Sequence, residues 1–197
     1  MRKFFYLFIA LSSFIFTTSY AQVEKGKFIL GGLINPNFTK NNYGGMDDNT
    51  WRINTQVRAG YFLTERFNLG IDLGNDFVSY KRDNGGSKSI SIMAGPFMRY
   101  YFVNEKLGLF GEAGTGLGIS STKNNYDGMS DDKWTSNAAY VKFGPGLNYF
   151  IKENIALEVL MTYQRHWREF QSTNVYAVDQ KTKVHVLDFK IGLLFLL

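Results

Sequence analysis

The strongest constraint on the fold of this chain is an alternation of apolar and polar side chains with a period of two residues. That period indicates β-strands, because successive side chains of a strand point to opposite faces of the sheet. From residue 51 the odd positions are Trp51, Ile53, Thr55, Val57, Ala59, Tyr61 and Leu63, and the even positions are Arg52, Asn54, Gln56, Arg58 and Gly60. Because most strands of the chain share this division, the apolar face needs an apolar solvent, and lipid is the natural one.

The alternation predicts an all-β fold, an eight-stranded antiparallel transmembrane up-and-down β-barrel. The connections alternate between short turns and long polar loops, as in outer-membrane barrels, and an even number of strands allows the sheet to close. A soluble lipocalin-like barrel is the alternative, and it predicts polar residues where Trp51 and Ile53 stand. The predicted strands are 26–38, 51–63, 67–80, 89–102, 107–120, 136–150, 155–166 and 182–197. The predicted long loops are 39–50, 81–88, 121–135 and 167–181.

The first 21 residues have the composition of an export signal. Arg2 and Lys3 precede an apolar stretch that is too short to span a bilayer, and Ala21 ends a small-residue cleavage site. We therefore expect residues 1–21 to be a signal peptide and residues 22–197 to form one outer-membrane β-barrel domain, with a retained anchor as the alternative. The chain has no Cys, which excludes disulfides and thiolate metal sites. Its net charge of +5 is mild and dispersed, so we expect no nucleic-acid partner.

Aromatic residues mark the ends of the strands, and Gly-Pro pairs mark points inside two of them. Aromatic residues flank the short turns, and parity places Tyr61, Tyr100 and Tyr149 on the lipid side, at the interface. Gly95-Pro96 and Gly144-Pro145 lie inside predicted strands. Proline lacks the N–H that a ladder needs, so a local bulge or kink is expected at each pair.

A loop sequence occurs twice in the chain. The segment that begins at Thr39 and includes Tyr43 and Trp51 matches, at a constant offset of 83 residues, the segment of Thr122, Tyr126 and Trp134. The match equates the first and third long loops and suggests a duplicated four-strand half, with convergent loop composition as the alternative. The candidate contact residues for an unknown extracellular partner are Tyr43, Trp51, Tyr126 and Trp134. The two Trp residues also suit an outer aromatic girdle.

Charges on the inward parity are balanced. They are Arg52, Arg58, Asp72, Asp76, Arg99, Glu112, Lys142, Glu158, Asp188 and Lys190. Isolated buried charges cost several kcal/mol, so these groups must pair. Since an eight-stranded barrel is only wide enough for its side chains to fill, we expect a salt-bridge network that plugs the lumen. The alternative is a narrow channel along the inward glycines of strands five and six.

Catalytic and metal-binding patterns are weak. Parity directs His166 inward and His185 outward, and neither has a Ser beside it in sequence. A lipid A-modifying barrel enzyme would need a His with a nearby Ser and carboxylate, so we expect no enzyme and no cofactor. Acidic residues of the first and third loops could supply oxygen ligands to calcium, but their spacing fits no defined calcium loop, and Asp is an ordinary turn residue.

The last strand has a polar-x-Gly-x-x-apolar-x-apolar ending from Lys190 to Leu197. This ending resembles the signal that the barrel-assembly machinery reads on the last strand of its substrates. The expected partners are therefore outer-membrane lipid and that machinery.

The stretch from Gly95 to Phe102, the second Gly-Pro at 144–145, the Ala21-Gln22 junction and the turn pattern together resemble the outer-membrane β-barrel domain family of Bacteroidetes. These porin-like chains are relatives in shape of the small OmpA/OmpX barrels. The resemblance implies the cell outer membrane and an architecture, and it carries over no catalytic residues. The expected role is structural or a surface interaction through the long loops. A narrow solute channel is the alternative, and a lipid A-modifying enzyme comes third.

Overall fold

The computed structural model describes residues 23–43, 46–82, 85–126, 132–171 and 180–197. In these ranges eight strands pair in chain order, and β8 pairs with β1, so the sheet is a closed barrel. The strands are β1 (Phe28–Tyr43), β2 (Met46–Phe62), β3 (Phe67–Arg82), β4 (Gly85–Asn104), β5 (Leu107–Tyr126), β6 (Asp132–Lys152), β7 (Ile155–Gln171) and β8 (Gln180–Leu196). The predicted all-β antiparallel barrel is confirmed. The predicted signal peptide lies outside the described residues.

The two faces of the strands are occupied as the alternation predicts. Trp51 and Tyr61 of β2 point outward and are exposed, whereas Arg58 points into the barrel and is buried. Tyr100 and Tyr149 also lie on the outer face. The described residues contain no helix long and apolar enough to cross a membrane.

The outer surface of β4 shows the height of the apolar band. Every second residue from Phe102 back to Ile90 points outward, and each of these residues is apolar or aromatic. At about 3.3 Å per residue and a tilt of roughly 40°, this run rises about 30 Å, which matches the hydrocarbon thickness of a bilayer.

The strands are longer than predicted, and the long loops are correspondingly shorter. β1 and β2 remain paired up to Tyr43 and Met46, within the predicted loop 39–50, and β5 continues to Tyr126. The prediction placed strand ends where the apolar face ends. Backbone pairing needs no apolar side chains, so hairpins of polar residues continue above the apolar band.

The Gly-Pro pairs interrupt the ladder, as predicted, but without the shift of register that a bulge would produce. Pairing of β4 with β5 is interrupted at Gly95-Pro96 but resumes in the same register, and Gly144-Pro145 interrupts β6–β7 pairing in the same way. The register shifts lie near the short turns instead, at Tyr101/Val103 and Phe150/Lys152.

The glycine of each Gly-Pro pair is needed for close approach of the neighbouring strand. A Cβ placed on Gly95 would lie 1.9 Å from the carbonyl oxygen of Thr115, and one on Gly144 would lie 1.9 Å from that of Met161. No side chain fits at either position. Where the ladder is interrupted, the two backbones therefore still lie in close contact.

The seam between the first and last strands is the shortest pairing of the barrel. In the described part of the chain, β1 and β8 pair from Ile29 with Leu196 to Ile34 with Ile191. Above that point Pro36, which has no N–H, follows in β1. A side-chain hydrogen bond from Asn35 to Asp188 then spans the seam.

We expect Gly144→Ala to lower the free energy of unfolding by about 1–3 kcal/mol, because the added methyl group overlaps the backbone of β7. Gly32→Ala is the matched control, since a Cβ there meets nothing within 4 Å. Urea unfolding in lipid vesicles measures both. Equal stability of the two variants would contradict the close approach.

Candidate functional site

Buried side chains fill the lumen in three layers. The apolar floor, at the end where the short turns lie, consists of Val23, Phe62, Tyr101, Phe110, Phe150 and Leu196. The central ion cluster above it consists of Arg58, Asp72, Arg99, Glu112, Lys142 and Glu158. The outer polar layer consists of Arg52, Gln56, Asp76, Gln164, Asp188 and Lys190. Each residue of the two charged layers occupies an inward position of its strand, which is why charges distant in sequence meet.

Arg58 joins carboxylates from three other strands. Its Nη1 donates to Glu112 Oε2 at 2.9 Å and to Glu158 Oε1 at 2.8 Å. Its Nε lies 3.3 Å from Asp72 Oδ1. The guanidinium also lies over the ring of Phe97, with 4.9 Å from its central carbon to the ring centroid. One arginine of β2 therefore ties together β3, β5 and β7.

Arg99 binds the same two glutamates as Arg58 does. Its Nη2 donates to Glu112 Oε2 at 2.9 Å and to Glu158 Oε1 at 2.8 Å, and its Nη1 donates to Tyr101 Oη at 3.1 Å. Its central carbon lies 3.8 Å from the centroid of the Phe110 ring. This cation–π stack joins the ion cluster to the apolar floor without a gap.

Lys142 completes the central ion cluster. Its Nζ binds Asp72 and also donates to Glu112 Oε1 at 3.0 Å. The cluster then has three cations and three carboxylates, and the side chains of all six are 3% exposed or less. Balanced charge permits such burial, because each ion has opposite charges and hydrogen bonds around it.

The remaining four predicted lumen charges lie in the outer polar layer, in two separate pairs. Arg52 makes a bidentate contact with Asp76, at 2.8 and 2.9 Å. Lys190 Nζ lies 3.2 Å from Asp188 and donates to Gln56 Oε1 at 2.7 Å. Here Arg52 is 36% exposed, so this layer is wetter than the central cluster.

Uncharged amides complete these layers, and the sequence analysis did not assign them. Gln164 donates to Asp188 at 3.0 Å, and Asn148 donates to Tyr101 Oη at 2.7 Å. Their inward parity was available in the sequence. Only charged residues were selected there, so this signal was missed.

Among the described residues, large neighbouring side chains occupy the space beside the inward glycines. A Cβ on Gly116 would lie 2.5 Å from the Tyr140 ring, and one on Gly146 would lie 2.1 Å from the Phe110 ring. A cavity of about 30 Å³ lies between the central cluster and the outer polar layer, lined in part by Asn54, Gln56 and Lys142. That volume holds about one or two water molecules.

The apolar floor includes a residue from before the first strand. Val23 is fully buried, its N–H donates to Asn104 Oδ1 at 3.1 Å, and its carbonyl accepts from Asn104 Nδ2 at 2.8 Å. Asn104 ends β4 at a short turn. Nothing in the sequence pattern indicated that this segment would fold beneath the barrel.

The two His residues point to opposite faces. His166 is buried, and its Nε2 lies 3.1 Å from Gln164 Oε1. His185 faces outward and bonds the Tyr163 hydroxyl. Of the described residues, no group of three or more His, Cys, Asp or Glu side chains is arranged to hold a metal ion.

The loop repeat is not reproduced in the geometry of the hairpins. Thr39 pairs with Thr50, whereas its counterpart Thr122 pairs with Trp134, so the two hairpins differ in register by one residue. Trp51 therefore points outward and packs against Phe38, whereas Trp134 lies on the inward parity. The prediction that both Trp residues belong to an outer girdle is wrong for Trp134, since one residue of slip exchanges the faces of a strand.

The side chains of the other two candidate contact residues, Tyr43 and Tyr126, lie outside the described part of the structure. Their backbones end β1 and β5 at the end of the barrel opposite the short turns.

An ion pair joins two hairpins above the apolar band. Arg82 makes a bidentate contact with Asp48, at 2.7 and 2.8 Å. These hydrogen bonds hold the pKa of the Asp48 carboxyl below its ordinary value. Sequence analysis assigned both residues to loops, and Asp48 to a set of acidic turn residues.

The sequence matches the family described as outer membrane protein beta-barrel domain over residues 7–195. The chain belongs to that family. Its location is the outer membrane, so the apolar band faces lipid, the short turns face the periplasm and the long hairpins face outward. No curated protein gives a significant sequence match.

Solved outer-membrane barrels share the fold at low sequence identity. A major outer membrane protein from Thermus thermophilus aligns with a TM-score of 0.55 and 11% identity, over 88% of this chain and 100% of that one. The translocator domain of the autotransporter NalP from Neisseria meningitidis aligns with a TM-score of 0.50 and 13% identity, over 93% of this chain and 65% of that one. At these identities the likeness extends to the fold alone.

Charge balance in the central ion cluster predicts strong coupling between Arg99 and Glu158. Arg99→Met leaves the cluster with an excess negative charge and is expected to cost about 3–5 kcal/mol of unfolding free energy. Glu158→Gln restores the balance. The double variant should therefore lose less unfolding free energy than the two single variants lose together. A double-mutant cycle by urea unfolding in vesicles measures the coupling. Simple additivity would contradict the ion cluster.

The Asp48–Arg82 pair predicts an acid-sensitive contact between hairpins. Because the carboxyl pKa is lowered in the folded state, its stabilising contribution is present above the ordinary value of 3.8 and is lost as the pH falls through the lowered pKa. A ¹³C NMR titration of the Asp48 carboxyl should give a midpoint below 3.8, and Arg82→Gln should return it towards that value. An unchanged midpoint in the variant would count against the pair.

Proposed function

We propose that this protein is a closed outer-membrane barrel that conducts no solute and acts through its outer surface. Its role is structural, or it presents the extracellular hairpins to a partner. The observation that supports this most strongly is the direct stacking of Arg99 on Phe110, which joins the ion cluster to the apolar floor.

The ion cluster obstructs the lumen electrostatically as well as sterically. An ion-selective pore needs a ring in which one sign of charge dominates, whereas here three cations face three carboxylates. A solute that passed would have to separate these pairs and leave buried charges without partners, which is costly. A charged solute that passed the cluster would then have to lose its hydration in the apolar floor, which is also costly.

A narrow porin-like channel is the second candidate. The observation in its favour is the wetter outer polar layer, where Arg52 is partly exposed and a small cavity reaches Lys142. For conduction, the side chains of the central ion cluster and the floor would have to move aside together.

A lipid A-modifying enzyme is the third candidate, and we propose that the protein is not an enzyme. His166 engages the Gln164 side chain, and His185 lies on the other side of the barrel wall. In the part of the chain that the structure describes, the side-chain partners of the two His residues are Gln164 and Tyr163, and neither supplies the Ser nucleophile that such chemistry requires.

We also propose that the last strand engages the barrel-assembly machinery and that the chain comes from Bacteroidetes. The support is the apolar ending of β8 and the motif from Gly95 to Phe102. Each of these proposals rests on sequence resemblance.

Single-channel recording in a planar bilayer tests the closed lumen. We expect silence from folded wild-type protein, whose folding is checked by heat-modifiable migration in gel electrophoresis. Arg99→Ala removes a side chain from the ion cluster, and Met98→Ala removes its lipid-facing neighbour as the matched control. Stable steps in the wild type that grow in Arg99→Ala but not in Met98→Ala would overturn the proposal in favour of the channel.

A further inference from the structure

One polar side chain of β3 faces lipid from within the apolar band. The outward residues of β3 from Phe67 to Phe77 are all apolar except Asn75, which is exposed and lies between Leu73 and Phe77. Its cross-strand neighbour in β4 is Ile92, which is also exposed. In the described part of the chain, the side-chain amide of Asn75 makes no hydrogen bond.

Asn75 lies at the depth of the hydrocarbon of the outer leaflet. It is eight residues from Phe67, which begins β3 beside a short periplasmic turn. At about 3.3 Å per residue and a tilt of roughly 40°, Asn75 lies about 20 Å above that end of the strand, within a hydrocarbon layer about 30 Å thick. Its neighbour Ile92 lies one outward position below Ile90, where the apolar run of β4 ends. Bulk water therefore does not satisfy this amide.

Two other polar groups on the outer face find partners within their own barrel. The Thr115 hydroxyl of β5 donates to the carbonyl oxygen of Tyr140 at 2.8 Å, and the Tyr163 hydroxyl of β7 bonds His185. Asn75 carries two N–H donors and one carbonyl acceptor, and an amide without partners in hydrocarbon is costly. The exposed amide therefore indicates a partner from outside the barrel.

The chemistry of the amide favours a second copy of this chain as that partner. Acyl chains offer neither donors nor acceptors, whereas two carboxamides are complementary, because each donates an N–H to the carbonyl oxygen of the other. A twofold axis parallel to the membrane normal brings the same residue of two copies together at the same depth. Polar side chains are known to join membrane segments by such hydrogen bonds.

The surface on either side of Asn75 suits a twofold contact. Towards β5 lies an apolar groove of about 910 Å³, whose residues include Ile92, Ala94 and Leu117. On the other side, β2 presents the exposed side chain of Val57. A twofold axis at Asn75 places β2 of one copy opposite the groove of the other. Projecting side chains then face a hollow on both halves of the interface.

We propose that this protein forms a twofold dimer in the outer membrane through reciprocal hydrogen bonds between the Asn75 side chains of the two copies. The outer faces of β2, β3 and β4 form the interface. The extracellular hairpins of both copies then stand side by side. This interface lies outside the barrel wall and goes beyond the function proposed above, because it does not depend on whether the lumen conducts.

Energy transfer between labelled copies in phosphatidylcholine vesicles tests the dimer. The chain has no Cys, so a single Glu65→Cys substitution at the exposed turn between β2 and β3 can carry either a donor or an acceptor dye. We expect energy transfer in this otherwise wild-type barrel that falls by mass action as lipid dilutes the protein. Energy transfer no greater than random encounters produce, at every ratio of protein to lipid, would overturn the proposal in favour of lipid or another protein as the partner.

Variants of Asn75 assign the association to its amide. Asn75→Leu removes the amide at similar volume and should weaken association about tenfold, since each of the two hydrogen bonds is worth about threefold in a membrane. Asn75→Gln keeps a carboxamide and should restore most of the loss. Heat-modifiable migration verifies that each variant is folded.

The matched control is Tyr163→Phe, which removes a lipid-facing hydroxyl that already has a partner within its own barrel. Tyr163 lies on β7, and β7 is four strands from β3 in either direction around the barrel. Association of this control should equal that of the wild type. Unchanged association in Asn75→Leu, an equal loss in Tyr163→Phe, or no recovery in Asn75→Gln would each overturn the proposal.

Discussion

A closed ring of paired strands is the constraint on which the rest of this molecule depends. Lipid offers no hydrogen bonds, so each backbone group inside the membrane must find a partner within the sheet. Closing eight strands fixes the width of the interior, and side chains must fill that width. The outer face can then be apolar, while the polar and charged side chains of the inner face must find partners within the lumen.

The buried charges of the lumen find these partners in the central ion cluster, which lies directly above the apolar floor. Arg58 and Arg99 share Glu112 and Glu158, so each of these four buried ions has at least two opposite neighbours. Phe110 and Tyr101 close the lumen below them and also contact the guanidinium of Arg99. Because the arginines link strands that are not adjacent in the sheet, the cluster braces the barrel across its diameter as well as obstructing it.

The fold was predictable from the sequence because lipid and lumen impose opposite chemistry on alternate residues. Tyr61 and Arg58 could be assigned to opposite faces by parity alone. The same reasoning failed above the membrane, where both faces meet water and strand ends cannot be recognised from polarity. Trp134 was misplaced because one residue of register in a hairpin decides its face. The contacts of Val23 join a segment that precedes β1 to the end of β4, and the strand periodicity does not encode such a contact.

The seam between β1 and β8 has a consequence for biogenesis. Phe28 and Leu197 exchange backbone hydrogen bonds at 3.0 and 2.9 Å across almost the whole length of the described chain. A chain that lacks the eighth strand cannot make this contact, so the sheet closes only after β8 has been synthesised. Any sheet that forms before then has two bare edges, and these must be shielded from other strand edges until the eighth strand pairs with the first.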